Sequence, residues 1–375
     1  MAAKLNFFPL GNADTLRIDL ANGQKVLVDY AAMRNGEIAD KRCDLPEELR
    51  RDLNRAGRDY YDVVCITHTD TDHCKGFGEF FWLRHAAKYQ GAGRIKINEL
   101  WVPAAAILED GLTDDARIVR SEARHRLRDG KGIRVFSRPE RLKKWMQDEG
   151  IDFETRKHLI VDAGRTVPGY DKTGPEQVEF FVHCPFGWRQ NENTVIERNE
   201  DSIVLHATFV EGGQESRLFL ASDVNYETLS EIVQVTRYHG NEDRMRWDIM
   251  KLPHHCSYLA LAPDRGAEET KPVRDVKWLF ENQREAGAVI VSPSNPIPTK
   301  GSEADQGVQP PHRQAGNYHR RITNADDGEF RVTMEHPSQT YPKPFAYNVT
   351  ALGIALDVAA PMVSSSAAAS TPKAG

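Results

Sequence analysis

The chain has 375 residues, 40% of them hydrophobic and 28% charged, enough for one large domain or two ordinary ones around a sizeable core. Its formal charge of −6 excludes attraction to nucleic acid or membrane by net charge alone, while leaving room for a local basic patch. No apolar run is long enough to span a bilayer, and the first residues lead into a strand pattern rather than a signal peptide, so a cytoplasmic protein without membrane contact is expected.

In chain order, Leu5 and Phe7 open a strand that ends before the turn at Gly11-Asn12. Leu16, Ile18 and Leu20 alternate with Arg17 and Asp19, and Asn22-Gly23 turns the chain into Val26–Asp29, which predicts a β-hairpin. The β-branched run Asp62–Thr67 reads as a buried central strand, followed by a helix over Phe77–Tyr89. From about 103 to 160 the composition predicts a charged helical insertion. Strands resume at Val178–Val182, Ser202–Leu205, Arg217–Ala221, Trp247–Leu252 and Ala288–Val291. A Pro/Gly/Gln-rich loop covers Ser292–Gln314, and short strands fit near Phe330–Met334 and Val349–Leu356. The whole reads as one domain over 1–357, with an Ala/Ser-rich tail at 358–375 expected to be disordered.

Chemistry concentrates on the turn after the central strand. His68, Asp70, Asp72 and His73 are four metal-competent side chains within six residues. Singly, an aspartate after a strand is a helix cap and a histidine is a hydrogen-bonded core or surface group. Together, two carboxylates and two imidazoles this close are costly unless a cation compensates them. An extended backbone points 68, 70 and 72 the same way, and His73 turns in as the helix begins.

The segment resembles the His-x-Asp-x-Asp-His variant of the metallo-β-lactamase signature, found in the hydrolase domain of the bacterial competence DNA-uptake channel and its free-standing relatives. Gly11–Asp14 resembles that family's opening turn, Leu27–Asp29 its strand-ending aspartate, Leu220–Asp223 the strand carrying a bridging aspartate, and Leu252–Ser257 a Pro-His-His-Gly-Ser turn. More loosely, Ser292–Asn295 and Pro311-His312 resemble its end. Ala13, Tyr30-Ala31, Ser222 and Cys256 stand where the family prefers glycine or a glycine-bearing turn. The resemblance implies an α/β fold, the αββα sandwich of that family with a charged helical insertion.

It also implies a hydrolase with two divalent ions, zinc or manganese. One ion would take His68 and Asp70, the other Asp72 and His73, with Asp223 between them. Neighbouring residues in an extended turn face opposite ways, so one of His254 and His255 joins the second ion. His255 is favoured as ligand, and His254 as a proton donor beside the catalytic Asp72. His183 ends a strand where many relatives place a third imidazole, or it simply caps that strand. Three of the five cysteines (Cys74, Cys184, Cys256) directly follow candidate ligands, which fits small buried residues beneath the site or a thiol within reach of the metals.

Two cations about 3.5–4 Å apart activate a bridging water and suit phosphodiesters, lactones, thioesters or amides alike. The branch resembled is associated with DNA, and Arg117–Lys144 is rich in bases, among them Arg120 and Arg124, that suit a phosphate backbone or equally a solvated helix face. Lys75, near a helix start, would add a phosphate contact. The leading expectation is therefore a phosphodiesterase or DNA nuclease. A hydrolase of a small ester, lactone or nucleotide is the second, and a non-catalytic metal-bearing module with a protein partner the third.

Overall fold

The computed structural model describes residues 2–188 and 196–358, so the expected disordered tail lies, beyond Val358, outside the described residues. Two β-sheets pack face to face between two layers of helix. The first holds β1 (Lys4–Phe7), β2 (Leu16–Asp19), β3 (Lys25–Val28), β4 (Tyr60–Cys65), β5 (Lys96–Pro103), β6 (Ile133–Phe136) and β7 (Ile160–Val161). The second holds β8 (Val178–Cys184), β9 (Val204–Glu211), β10 (Gln214–Leu220), β11 (Trp247–Lys251), β12 (Arg284–Ser292) and β13 (Glu329–Val332). The late strands β14 (Phe345–Thr350) and β15 (Gly353–Leu356) return to the first sheet. Spatial order is β15-β14-β1-β2-β3-β4-β5-β6-β7 in one sheet and β13-β12-β11-β10-β9-β8 in the other.

The interior between the sheets is apolar: Val63 and Cys65 of β4 meet Phe180, Leu205, Leu218 and Ile249 there. On the far side of β4, Val64 packs with Leu49, Val119 and Leu127 from α1 (Leu45–Arg55) and α5 (Asp114–Asp129). Strand β4 is thus covered on both faces, which is why its sequence is a nearly continuous β-branched run. The second sheet is covered on its outer face by α7 (Tyr226–Tyr238), α8 (Arg274–Asn282) and, after the one-turn α9 (Glu303–Gln306), α10 (Arg313–Asn324). Ile232, Leu279 and Ile322 make that contact.

Three local expectations are corrected. The helix expected over Phe77–Tyr89 stops after α3 (Phe77–Phe80), and Trp82 then donates to the Ile95 carbonyl as the chain extends. Phe77, Phe80 and Phe81 are all buried against Tyr30, and Gly78 lies so close beneath Ile118 that a Cβ would come within 2.5 Å of it. Tertiary packing has overridden helical propensity there.

Secondly, the charged segment from 103 to 160 is not only helical. Between α5 and α6 (Glu140–Asp148) it gives β6 to the sheet, and β7 follows. Thirdly, many of its bases are engaged within the fold rather than left on a solvated helix face. Arg120 and Arg124 donate to the Glu109 and Ile107 carbonyls at the end of α4 (Ala104–Leu108). Arg128 pairs with Glu149, Arg134 with Glu99, Arg138 with Asp162, Lys143 with Glu140 and Lys144 with Asp148. Arg126 is fully buried.

Candidate metal centre

The His68–His73 turn leaves the C-terminal end of β4, with its last residues wound into α2 (Thr71–Cys74). Parallel pairing of β4 with β3 brings Asp29, just past β3, against the turn's start. Parallel pairing of β10 with β11 brings the residues after each, Ser222-Asp223 and Leu252–Ser257, to the same edge of the second sheet. Four segments far apart in sequence therefore meet at the carboxyl ends of parallel strands, where α/β folds place their chemistry.

Asp72, His73, Asp223 and His255 each offer a ligand atom, and these atoms all lie within 4.8 Å of one another. His255 Nε2 is 3.0 Å from Asp72 Oδ2 and 3.4 Å from Asp223 Oδ2, while His73 Nε2 is 3.3 Å from Asp223 Oδ1. Each imidazole is oriented through its other nitrogen. His73 Nδ1 donates to Asp29 Oδ2 at 2.8 Å, and His255 Nδ1 to the Pro293 carbonyl at 2.8 Å. His68 Nδ1 lies 3.2 Å from Thr67 Oγ1. Asp29 is itself fixed by the Thr67 amide and hydroxyl, and Ser222 donates to Thr67 in turn. Fixing Nδ1 in this way selects the tautomer whose Nε2 can ligate.

The buried nitrogens and oxygens support the same reading. His68 Nε2, His73 Nε2 and Asp223 Oδ1 are buried without a hydrogen-bond partner. An orphaned buried acceptor is expensive, and a cation held with Asp72 and His255 would satisfy His73 Nε2 and Asp223 Oδ1 together. Burial acts against charging His255, yet Asp223 and Asp72 push it up to about 10. Burial likewise opposes charge on Asp72, but His255 and His73 hold it at about 2. A group of two imidazoles and two carboxylates that bind protons only to neutralise one another is the donor set of a divalent ion, and its mixed nitrogen and oxygen character admits zinc or manganese.

The remaining sequence candidates are placed differently. His254 adjoins the cluster but contributes no ligand atom to it; its backbone φ of 48° begins three successive left-handed residues with His255 and Cys256. That crank is what turns the two histidines apart. His183 is engaged elsewhere, donating through Nε2 to the Arg244 carbonyl and accepting from Thr236 at Nδ1, with burial holding it neutral. Lys75 is exposed beyond α2, and the helix expected after it is only one turn long. Cys74, Cys184 and Cys256 are buried in the outer cores, so small residues beneath the site, rather than reachable thiols, is what the structure has.

Asp29, Ser222 and Cys256 all have positive φ, of 57°, 44° and 64°. Such backbone favours glycine, and this chain meets it with side chains instead. At Ser222 the compensation is visible as the bond to Thr67. Asp14 and Lys251 form a buried ion pair behind the site, and the Asp14 amide donates to the Asp72 carbonyl. The orienting groups Asp29, Thr67 and Ser222 carried no metal-ligand pattern of their own, although their place at strand ends beside the cluster was a usable signal. Asp29→Asn is expected to lower metal affinity roughly 10–100-fold without unfolding the chain. Calorimetric titration of the stripped variant checks this, and wild-type affinity would mean that Asp29 does not orient His73.

No family model and no curated protein matches the chain. Among solved structures, a diphosphatase from the PhnP family aligns with 84% of this chain and 96% of its own, at 10% identity and a TM-score of 0.30. A B3 metallo-β-lactamase with an active-site glutamic acid aligns over 87% and 90%, at 12% identity and a TM-score of 0.32. The metallo-β-lactamase SMB-1 bound to 2-mercaptoethanesulfonate aligns over 65% and 78%, at 12% identity and a TM-score of 0.29. These are distant likenesses. Among the described residues, no helix is long and apolar enough to cross a membrane.

Proposed function

We propose that the chain is a metal-dependent hydrolase acting on phosphodiesters, with Asp72, His73, Asp223 and His255 holding a divalent cation. The observation that carries this reading is the convergence of two Nε2 atoms, whose Nδ1 atoms are fixed, on two carboxylates of which one, Asp72, is partly exposed. A divalent cation bound there supplies Lewis-acid polarisation of the scissile group and activation of water near neutral pH.

The chain's own residues do the rest. Asp223, His73 and His255 are buried and rigid, whereas Asp72 is 31% exposed and Asp70 34%, so the open edge of the site is its acidic one. A divalent cation held there would offset the charge of Asp72 as Arg198 offsets that of Asp70, so an anionic ester would bind better with metal present. His254, half-buried beside His255 and lowered in basicity by burial, is an imidazole outside the donor set that could transfer a proton to a leaving group.

Phosphodiester chemistry is favoured by the aspartate at position 70 and the resemblance it carries. The DNA-nuclease form of the reading draws less support from the charged segment, whose bases are held by carboxylates and carbonyls. A small diester, ester or nucleotide is favoured by that observation as the second reading. Incubating manganese-loaded protein with single- and double-stranded DNA and with bis(p-nitrophenyl) phosphate separates the cases. Cleavage of both supports a nuclease. Cleavage of the chromogenic diester alone supports a small-substrate enzyme. Turnover of neither, with a carboxylic ester cleaved instead, would overturn the phosphodiesterase reading.

A further inference from the structure

The two sides of the site are unequal. Among the described residues, the donor groups gathered tightly enough for one ion are Asp72/His73/Asp223/His255 and Asp14/Asp29/His73, and neither contains His68 or Asp70. The second group already holds a cation of its own, since Asp14 Oδ2 pairs with Lys251, and Asp29 is engaged by Thr67 and His73 Nδ1. On the other side, His68 Nε2 and Asp70 Oδ2 stand 3.7 Å apart with no third imidazole, because His183 is bonded to Arg244 and Thr236.

A fixed cation is already there. Arg198 Nη1 donates to Asp70 Oδ1 at 2.7 Å. Its Nε reaches Glu109 Oε1 and Oε2 at 2.8 and 2.9 Å, and its Nη2 reaches Oε1 at 2.7 Å. Glu109 ends α4, and its carbonyl accepts from Arg120 of α5. The guanidinium is therefore clamped in a planar, two-point contact by the charged segment and presented to Asp70 from outside the site. Such a fork is pre-organised and cannot be deprotonated, so it competes with a metal for that carboxylate at any working pH.

We propose that Arg198, braced by Glu109, stands at the Asp70 carboxylate in place of a second metal ion, so that the chain holds one tightly bound divalent cation, in the Asp72–His73–Asp223–His255 pocket. This rests on the metal reading above, and it departs from the two ions that the His68–His73 signature implies. Arg198 acts as a positioning residue: it keeps Asp70 neutralised and turned from the ion, leaving a single cation flanked by a fixed positive charge. The bases assigned from sequence to substrate, Arg120 and Arg124, serve this brace instead by capping the end of α4.

The test is metal stoichiometry on the full chain. Metal-stripped protein is loaded with manganese, dialysed and analysed by elemental analysis, and its electron paramagnetic resonance spectrum is recorded. Wild type is expected to retain one equivalent with the spectrum of an isolated ion. Arg198→Gln frees Asp70 and leaves Glu109 unpaired nearby, so it should retain close to two equivalents, with the second bound at least tenfold more tightly than in wild type. Adding Asp70→Asn to that variant should return it to one, whereas Glu109→Gln alone should stay at one. Two equivalents or an exchange-coupled pair in wild type would overturn the proposal, as would one equivalent in Arg198→Gln. A wild-type chain retaining none would overturn the metal reading itself and this inference with it. Should Arg198→Gln fail to fold, the wild-type count and spectrum still decide between one ion and two.

Discussion

Asp72→Ala is expected to retain the fold and lose turnover. Asp72 sits at the open edge of the cluster, and its structural contact, the carbonyl that accepts from the Asp14 amide, survives the substitution. What disappears is the carboxylate 3.0 Å from His255 Nε2, one of four ligand atoms within reach of one ion. Removing an orienting partner of a ligand costs about 10–100-fold in affinity or activity, and removing the ligand itself should exceed that. Metal content and diester hydrolysis of the purified variant check it, with circular dichroism to confirm folding. Full activity would place the chemistry elsewhere in the chain.

The second large effect concerns stability. Glu122 and Arg126 form an ion pair with neither side chain exposed, 2.7 Å between Oε1 and Nε. Arg126 also donates to the Ile97, Asn98 and Gly132 carbonyls, and Glu122 receives the His85 amide and ring nitrogen, so the pair ties α5 to the ends of β5 and β6 and to the loop after α3. Glu122→Ala leaves a buried guanidinium without its counter-charge, which costs roughly 3–5 kcal/mol. Urea unfolding measures it, and a loss below about 1 kcal/mol would contradict the assignment.

The pair also has a pH signature. Burial disfavours the Glu122 carboxylate, but His85 and Arg126 bring it down to about 2. A depressed carboxyl pKa stabilises the fold above the unfolded value of about 4.3, and that contribution is lost as pH falls from there toward the folded value. The stability gap between wild type and Glu122→Gln should therefore narrow over that acidic interval and stay constant above it.

What the sequence made legible follows from how local each signal is. The His68–His73 turn was readable because four candidate ligands fall within six residues, and the strands were readable wherever burial on two faces makes an apolar run. Asp223 and His255 required the resemblance, since their approach to Asp72 depends on the parallel pairing of β3 with β4 and of β10 with β11. Strand β6 was hidden among charges because Arg134, in its middle, points at Glu99 of β5. Arg126 looked like one base among many on a solvated helix, and only the docking of α5 against the sheet shows it facing inward. Arg198 gave no local cue at all, being 128 positions from the carboxylate it reaches. Ser222 and Cys256 were visible as departures from glycine, and both adopt left-handed φ.

The proposed reaction depends on Asp72, His73, Asp223 and His255 holding a divalent cation, which would supply Lewis-acid polarisation and activation of water. The most direct test is to strip the protein with a chelator, remove the chelator, and follow bis(p-nitrophenyl) phosphate hydrolysis while manganese or zinc is returned. Stripped protein is expected to show no turnover and to recover it as metal is restored, with Asp72→Ala unresponsive throughout. Undiminished hydrolysis by the stripped chain, at a metal content near zero, would contradict a metal-dependent reaction.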